Sequence, residues 1–256
     1  MFGYYNTKMI GPWIKKIRND LIHISIIAIL LVIIILGIIS LFRWYYSTTP
    51  EKDVSTNRGF CEMSDPYDLP QECPNIISPE EGQYILAKST PLFSESTIVS
   101  GTDESIRKSQ TAWLRKTDPI VAGIMKRLCS MTNLPFSNVE DMQVVKYEIN
   151  GYYNEHHDSC CDSHPNCVDF EKRGGQRIVT LIIYLSDDFE GGSTRFPNLN
   201  KEYKPKKWDG LLFYPLQRDG EHGKKKAHPL ALHAGTPVTK GQKYIANIWI
   251  REDVFT

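Results

Sequence analysis

The chain has 256 residues, of which 41% are apolar, 23% charged and 11% aromatic, a composition that excludes a disordered chain, a collagen-like repeat and a disulfide miniprotein. Thirty basic residues balance thirty acidic ones, so nothing in the charge points to a nucleic-acid partner held by counterion release. The length suits one sizeable domain with its own core.

The first predicted element is residues 24–42, ISIIAILLVIIILGIISLF, nineteen positions without a charge, fifteen of them Ile, Leu, Val or Phe. That length spans a bilayer. On an insertion scale the fifteen favour the membrane by roughly 6 kcal/mol, as an upper figure. A buried core helix would show a polar stripe, whereas this run has only Ser25, Gly37 and Ser40. A cleaved signal peptide would be shorter and end at small residues, whereas this run ends in Phe42-Arg43-Trp44-Tyr45-Tyr46. Lys8, Lys15, Lys16 and Arg18 precede it, and Arg43 and Lys52 are the nearest positive charges after it. The expectation is a single-pass type II signal anchor over 21–43 and a cytosolic segment over 1–20. The rest would be lumenal, in the endoplasmic reticulum or secretory pathway.

Residues 44–75, with STTPEKDVSTNRG, read as a lumenal stalk, and residues 76–256 as one domain. The six cysteines fit an oxidising lumen. Cys61 with Cys73, and Cys167 with Cys160 or Cys161, are the pairings considered, and sequence does not fix the connectivity. Cys129, in a helical pattern, reads as a small buried apolar residue. His164 beside Cys160, Cys161 and Cys167 supplies zinc-ligand types, but a disulfide-pinned lid is the preferred reading of that loop.

Ser78-Pro79-Glu80-Glu81 and Asp118-Pro119 each offer a cap followed by proline at the first helical position, predicting two helices. In the second, Ile120, Ile124 and Leu128 share a face. After residue 140 the pattern changes to short β-rich runs, MQVVKYE, RIVTLIIYLS, GLLFYPL, HPLALHA and KYIANIWIR, with turn signals such as Asp209-Gly210 and Lys240-Gly241 between several of them. Helices followed by many short strands predict a β-sandwich or jelly roll with helices packed on one side.

The chemistry starts at VVKYEINGYYNEHHD, residues 144–158. In an extended segment residues i and i+2 face the same way, so His156 and Asp158 can present an imidazole and a carboxylate to one metal while His157 turns away. An H-x-D pair alone is common on surfaces. His233, in LALHAGTPV, is the candidate third ligand, although a lone histidine at a strand end is more often structural. Two histidines and one carboxylate make the facial triad of a ferrous site, leaving three positions open. A structural zinc would use four protein ligands. In KYIANIWIR alternation puts Lys243, Asn247 and Trp249 on one face and Tyr244, Ala246, Ile248 and Ile250 on the other. A lysine on an inward face is costly unless it meets an anion, for which the distal carboxylate of 2-oxoglutarate would serve.

The ordered set of Tyr147, His156-x-Asp158, GGQRIVTLIIYLS, FEGGSTRFP, WDGLLFYPL and LHAGTPVTKGQKYIANIWI resembles the iron(II)- and 2-oxoglutarate-dependent prolyl 4-hydroxylases. The N-terminal anchor resembles that of their transmembrane members. The resemblance covers about residues 76–256. It implies an α+β fold with a double-stranded β-helix (jelly-roll) core and N-terminal helices on one side, preceded by one transmembrane helix. By the same resemblance His156, Asp158 and His233 are the Fe(II) ligands and Lys243 is the cation for the cosubstrate's distal carboxylate. Tyr147 and Thr180 match positions that hydrogen-bond that carboxylate. Tyr153 and Trp249 match the lining of the peptidyl-proline pocket, and Arg107 with Ser109 an Arg-x-Ser on the substrate side.

The implied activity is a procollagen-proline 4-dioxygenase-like reaction. It hydroxylates peptidyl-proline with dioxygen while 2-oxoglutarate becomes succinate and carbon dioxide, with ascorbate rescuing oxidised iron. The implied partner is a proline-rich or collagen-like peptide, whose extended form is largely preformed. Two alternatives remain open. One is a hydroxylase of the same class acting on lysine or another residue; the other is a non-catalytic membrane-anchored module that binds proline-rich peptides. The chain departs from the family pattern at Asn150, in place of glycine, at Ser193, where glutamate is frequent, and at Ala231, where serine is. None is a metal ligand.

Overall fold

The computed structural model describes residues 27, 29–38, 40, 70–98, 101–160, 165–217 and 226–256. The chain divides into two units, residues 1–56 and 57–256. In the first, residues 29–38 are helical, and their large apolar side chains are 53–59% exposed all round the helix. Among the described residues no helix is long and apolar enough to cross a membrane. The remainder of the expected anchor over 21–43, the segment 1–20, residues 44–69 with Cys61, and Cys161 and His164 lie outside the described residues.

In the second unit both helix starts fall where the caps predict. Helix α1 is Pro79–Ser89, with Ser78 Oγ accepting from the Glu81 backbone N–H at 3.2 Å and the Glu81 carboxylate accepting from Ser78 N–H at 2.9 Å. This reciprocal pair satisfies two of the donors a helix start leaves free. Helix α2 is Pro119–Thr132, where the Asp118 carboxylate accepts from Ile120 and Val121 N–H. Its buried face is Val121, Ile124, Met125, Leu128 and Cys129, and Ile120, expected inside, is 39% exposed. Ile124 and Leu128 share the buried face as the pattern predicts, and only Ile120, in the first turn, falls at the edge of the stripe. A third helix, α3, is Pro165–Glu171.

Fourteen strands are named in chain order: β1 Gln71–Cys73, β2 Ser94–Glu95, β3 Arg107–Lys108, β4 Gln110–Leu114, β5 Met142–Tyr147, β6 Tyr152–His156, β7 Arg177–Tyr184, β8 Glu190–Gly191, β9 Thr194–Phe196, β10 Lys201–Tyr203, β11 Gly210–Phe213, β12 His233–Gly235, β13 Val238–Lys240 and β14 Lys243–Arg251. They form a large sheet, β1-β11-β7-β14-β5-β4-β2, a smaller one, β10-β9-β12-β6-β3, and the pair β13-β8. All pairings are antiparallel. Strand β1 falls in the segment read as stalk, yet it is hydrogen-bonded to β11 at the edge of the large sheet. HPLALHA, expected as one strand, is a 3-10 turn over Pro229–Ala231 followed by β12.

The large sheet has an apolar layer on each face. On one, Ala246, Ile248 and Ile250 of β14 join Val179, Leu181 and Ile183 of β7 against Ile85 of α1 and Leu128 of α2. On the other, Val145, Ile182, Tyr184 and Ile245 meet Phe196, Phe213 and Ala231. The helices therefore cover one side and the small sheet the other, as the jelly-roll expectation requires. Strand alternation then points every second residue of β14, from Lys243 to Trp249, into the space between the sheets. Asn150 takes the left-handed conformation, with φ 64°, which asparagine tolerates better than most residues.

Candidate active site

Between the sheets lies a cavity of about 210 Å³. At its centre the register of β12 on β6 sets His233 directly opposite His156, and Asp158 follows two residues after the strand ends. One donor atom from each of the three lies within 4.8 Å of the others, the one such cluster among the described residues. His156 Nδ1 is 2.8 Å from the Asn154 carbonyl and His233 Nδ1 is 3.0 Å from the Ala231 carbonyl. A carbonyl only accepts, so each Nδ1 carries the proton and each Nε2 keeps its lone pair for a metal. Asp158 is oriented in the same way. Its Oδ2 accepts from the Thr180 hydroxyl at 2.7 Å and from the Trp249 indole N–H at 3.0 Å, while Oδ1 lies 3.8 Å from His156 Nε2.

Electrostatics keep His156 and Asp158 in binding form. Burial, with the neighbouring His233, lowers the His156 pKa to about 3, so the ring is neutral. Burial pushes Asp158 up, but His233, His156, Arg177 and the Thr180 hydroxyl bring it down to about 2, so it is ionised. Two imidazoles and one carboxylate, with no fourth such ligand in the cluster among the described residues, fit a ferrous ion with open positions. The expected triad of His156, Asp158 and His233 is thus assembled. His157 lies outside it.

Lys243 pairs in register with Tyr147 on β5 and is 2% exposed. Among the described residues no carboxylate forms a salt bridge with it; its ammonium lies over the Tyr147 and Tyr184 rings, at 5.3 and 5.4 Å. Burial, with a smaller effect from Lys204, lowers its pKa to about 7. Such a cation is uncompensated until an anion enters, and Lys243 and Tyr147 both line the cavity.

Thr180 corrects the expectation that it joins Tyr147 at the cosubstrate. It pairs with Trp249, six residues along β14 from Lys243, a separation of roughly 20 Å at strand rise. Its hydroxyl serves Asp158 instead. The threonine at the lysine end is Thr194 on β9, buried, lining the cavity and hydrogen-bonded to the Tyr184 hydroxyl. Sequence reading missed it, because Thr194, the second residue after the double glycine of FEGGST, carries no local mark that sets it apart from Thr180. That turn needs glycine: Gly191 has φ 68°, and a Cβ there would sit 2.3 Å from the Pro237 carbonyl.

On the outer side, the Tyr153 ring stacks on His156, with centroids 3.6 Å apart, and the Arg107 guanidinium covers it at 4.7 Å. Ser109 does not line the cavity; its hydroxyl accepts from Arg107 Nε at 2.9 Å and donates to Ser96. It orients Arg107 from two residues along the chain, where alternation puts both side chains on one side. Trp249 lines the cavity while also holding Asp158. Also unforeseen is Glu140, 1% exposed, whose carboxylate accepts from Arg177 at 2.6 and 2.9 Å and from Arg251 at 2.7 Å. The loop after Asp158 is pinned by a Cys160–Cys167 disulfide. Cys73 is disulfide-bonded to a partner outside the described residues, and Cys129 is free and buried.

Comparison with known proteins agrees with this geometry. The 2OG-Fe(II) oxygenase superfamily pattern matches residues 142–251. A protein of Acanthamoeba polyphaga mimivirus provisionally named a prolyl 4-hydroxylase is 48% identical over 198 residues, covering 77% of this chain and 80% of that protein. Prolyl 4-hydroxylase 1 of Arabidopsis thaliana is 33% identical, over 70% of this chain and 67% of its own length. Among solved structures, the viral collagen prolyl hydroxylase of Paramecium Bursaria Chlorella virus-1, in complex with 2OG, aligns with a TM-score of 0.55 at 26% identity, over 72% of this chain and 96% of that one. The chain belongs to the prolyl 4-hydroxylase family of 2OG-Fe(II) oxygenases.

Proposed function

We propose that this chain hydroxylates peptidyl-proline at the 4-position with dioxygen and 2-oxoglutarate at a non-haem iron(II) site. The observation that carries the reading is the pairing, in one cavity, of the His156, Asp158 and His233 triad with the uncompensated Lys243. Iron and 2-oxoglutarate supply the oxidative chemistry, one oxygen atom going to succinate as carbon dioxide leaves and the other to the proline ring. The protein's own share is placement. Two carbonyl-pinned imidazoles and a carboxylate held by two donors keep the ligands on one face, so little reorganisation is needed on loading. Lys243, Tyr147 and Thr194 form the polar end for the distal carboxylate. Tyr153 and Trp249 give flat walls against which a proline ring packs, and Arg107 stiffens Tyr153 from outside.

The substrate in this reading is a proline-rich or collagen-like peptide, and ascorbate returns oxidised iron to the ferrous state. The chain is a single-pass type II membrane protein anchored through residues 21–43. A cytosolic 1–20, a stalk and a lumenal oxygenase domain in the secretory pathway complete the arrangement. Support comes from the apolar run at 24–42 and the lysines before it. Mass spectrometry of proline-rich and collagen-like peptides incubated with the chain, iron, 2-oxoglutarate and ascorbate tests the activity. One added oxygen on proline, matched by succinate, is expected. Oxygen on lysine alone, or peptide binding without succinate, would replace this reading with one of its two competitors.

A further inference from the structure

Asp158 is the one member of the triad that stands outside a strand. His156 ends β6 and His233 opens β12, whereas residues 157–160 lie in no strand. Thr180 and Trp249 orient the Asp158 carboxylate, but bonds to Oδ2 do not fix the backbone that carries it.

That backbone is held by one side chain. Gln176 Oε1 accepts from Cys160 N–H at 2.8 Å, and Gln176 Nε2 donates to the Cys160 carbonyl at 2.7 Å. These are the two bonds that a residue exchanges with an antiparallel neighbour, so the glutamine does for Cys160 what a paired strand would do. The other Nε2 hydrogen goes to Glu171 Oε1 at 2.7 Å. The orientation is fixed, since the amide turned over would aim its NH2 group at an N–H and its oxygen at a carbonyl and a carboxylate. Gln176 is fully buried. Its own backbone is tied twice to Glu252, donating to the carboxylate at 2.8 Å and accepting from the N–H at 3.0 Å. Ser159 adds one longer bond, from its hydroxyl to the Pro215 carbonyl at 3.3 Å.

The Cys160–Cys167 disulfide reaches the same residue through a different atom. It joins the Cys160 side chain to α3, within the loop. Gln176, next to the start of β7, joins the Cys160 backbone directly to the sheet that carries Thr180 and Trp249.

We propose that Gln176 is a positioning residue for the reaction, which clamps the Cys160 backbone to the start of β7 and so sets Asp158 in its metal-binding place before the metal arrives. This deepens the iron(II) oxygenase reading above and rests on Asp158 as a ligand. The disulfide then holds α3 rather than the ligand.

The test uses the full chain and reads iron(II) uptake without turnover, by tryptophan fluorescence during anaerobic titration and by metal analysis after gel filtration. Gln176→Met keeps length and bulk and removes the amide. Gln176→Glu keeps one acceptor but turns a carboxylate toward the Cys160 carbonyl and Glu171. Both should need about 10-fold or more iron for half-saturation, the glutamate variant most. Gln176→Met combined with Thr180→Val should cost less than the product of the separate losses, because both act on one carboxylate. Cys160→Ser with Cys167→Ser should keep the native affinity, since the clamp grips backbone atoms. Native iron affinity in Gln176→Met, whatever its Tm, overturns the proposal and leaves the clamp a fold contact. A loss in the cysteine pair equal to that in Gln176→Met assigns the positioning to the disulfide and overturns it too. If Gln176→Met does not fold, hydrogen exchange in the metal-free native chain decides. The Cys160 amide should be protected as the amides of β7 are, with little added by iron, and free exchange until iron binds overturns the proposal. Asp158→Ala binding iron as tightly as the native chain removes the ligand reading and this proposal together.

Discussion

His156 and His233 are register partners on β6 and β12 with ring centroids 4.2 Å apart, and the same device turns both. In each, Nδ1 is bonded to the backbone carbonyl two residues earlier. The tautomer is therefore set by backbone carbonyls rather than borrowed from another side chain, and the two Nε2 atoms converge because the strands pair.

His156→Ala, Asp158→Ala and His233→Ala should each abolish hydroxylation and lower bound iron to background, as metal analysis of purified protein would read. His157→Ala should retain most of both, since His157 contributes nothing to the cluster or the cavity lining. Loss of iron in the His157 variant with retention in the His156 variant would overturn the ligand assignment.

A second expectation follows from the two donors on Asp158 Oδ2. Thr180→Val removes one and Trp249→Phe the other while keeping most of the side chain's bulk. Partners of metal ligands are typically worth about 10- to 100-fold in metal affinity or activity, so each variant should need more iron for half-maximal turnover. The two effects should not add, because both variants loosen one carboxylate. If Thr180 instead touched the cosubstrate, Thr180→Val would raise the KM for 2-oxoglutarate and leave the iron requirement unchanged.

How much of this was legible beforehand depends on the range of the interaction. The inward face of β14 follows from alternation, a property of neighbouring residues, and Lys243, Asn247 and Trp249 do line the cavity. The helix starts at Ser78 and Asp118 are equally local. Thr180 and Thr194 were indistinguishable as strand threonines, since only the pairing of β7 with β14 and of β9 with β12 decides which end each occupies. Nothing local in the sequence marks Glu140, Arg177 and Arg251. They become a buried cluster only when the segment before β5, the start of β7 and the end of β14 meet. Strands β2 to β4, of two to five residues, are too short to leave a period.

The proposed orientation in the membrane has a direct assay. Protease added to sealed microsomes should remove only about the first twenty residues, the length preceding the apolar run. The large C-terminal fragment should survive until detergent is added. Its digestion in intact vesicles would reverse the topology, and its recovery in a carbonate-washed soluble fraction would remove the anchor.

The last prediction concerns Lys243, the residue that separates cosubstrate chemistry from mere metal binding. Lys243→Ala leaves the distal carboxylate of 2-oxoglutarate unpaired in a buried site, a loss that typically costs about 2 to 5 kcal/mol. The KM for 2-oxoglutarate should therefore rise by roughly 30-fold to several-thousand-fold, with iron content little changed. The pH dependence has a definite sign. In the free protein the Lys243 pKa is lowered to about 7, so above pH 7 the amine is largely neutral. The bound dianion favours the ammonium form and raises that pKa, so binding above pH 7 takes up a proton. Apparent affinity should fall as pH rises from 7, by up to about tenfold per unit until the pKa of the complex is reached, and should be flat below 7 as far as this group is concerned. Lys243→Arg keeps its charge at every accessible pH. It should bind 2-oxoglutarate more weakly than the native chain, because the planar fork on a longer stem puts its charge elsewhere, but without the slope above pH 7. Titrating 2-oxoglutarate between pH 6 and 9 with all three proteins, following succinate and the quenching of tryptophan fluorescence, separates these outcomes. A native chain with no slope above pH 7, or an alanine variant that keeps the native affinity, would show that another group receives the carboxylate.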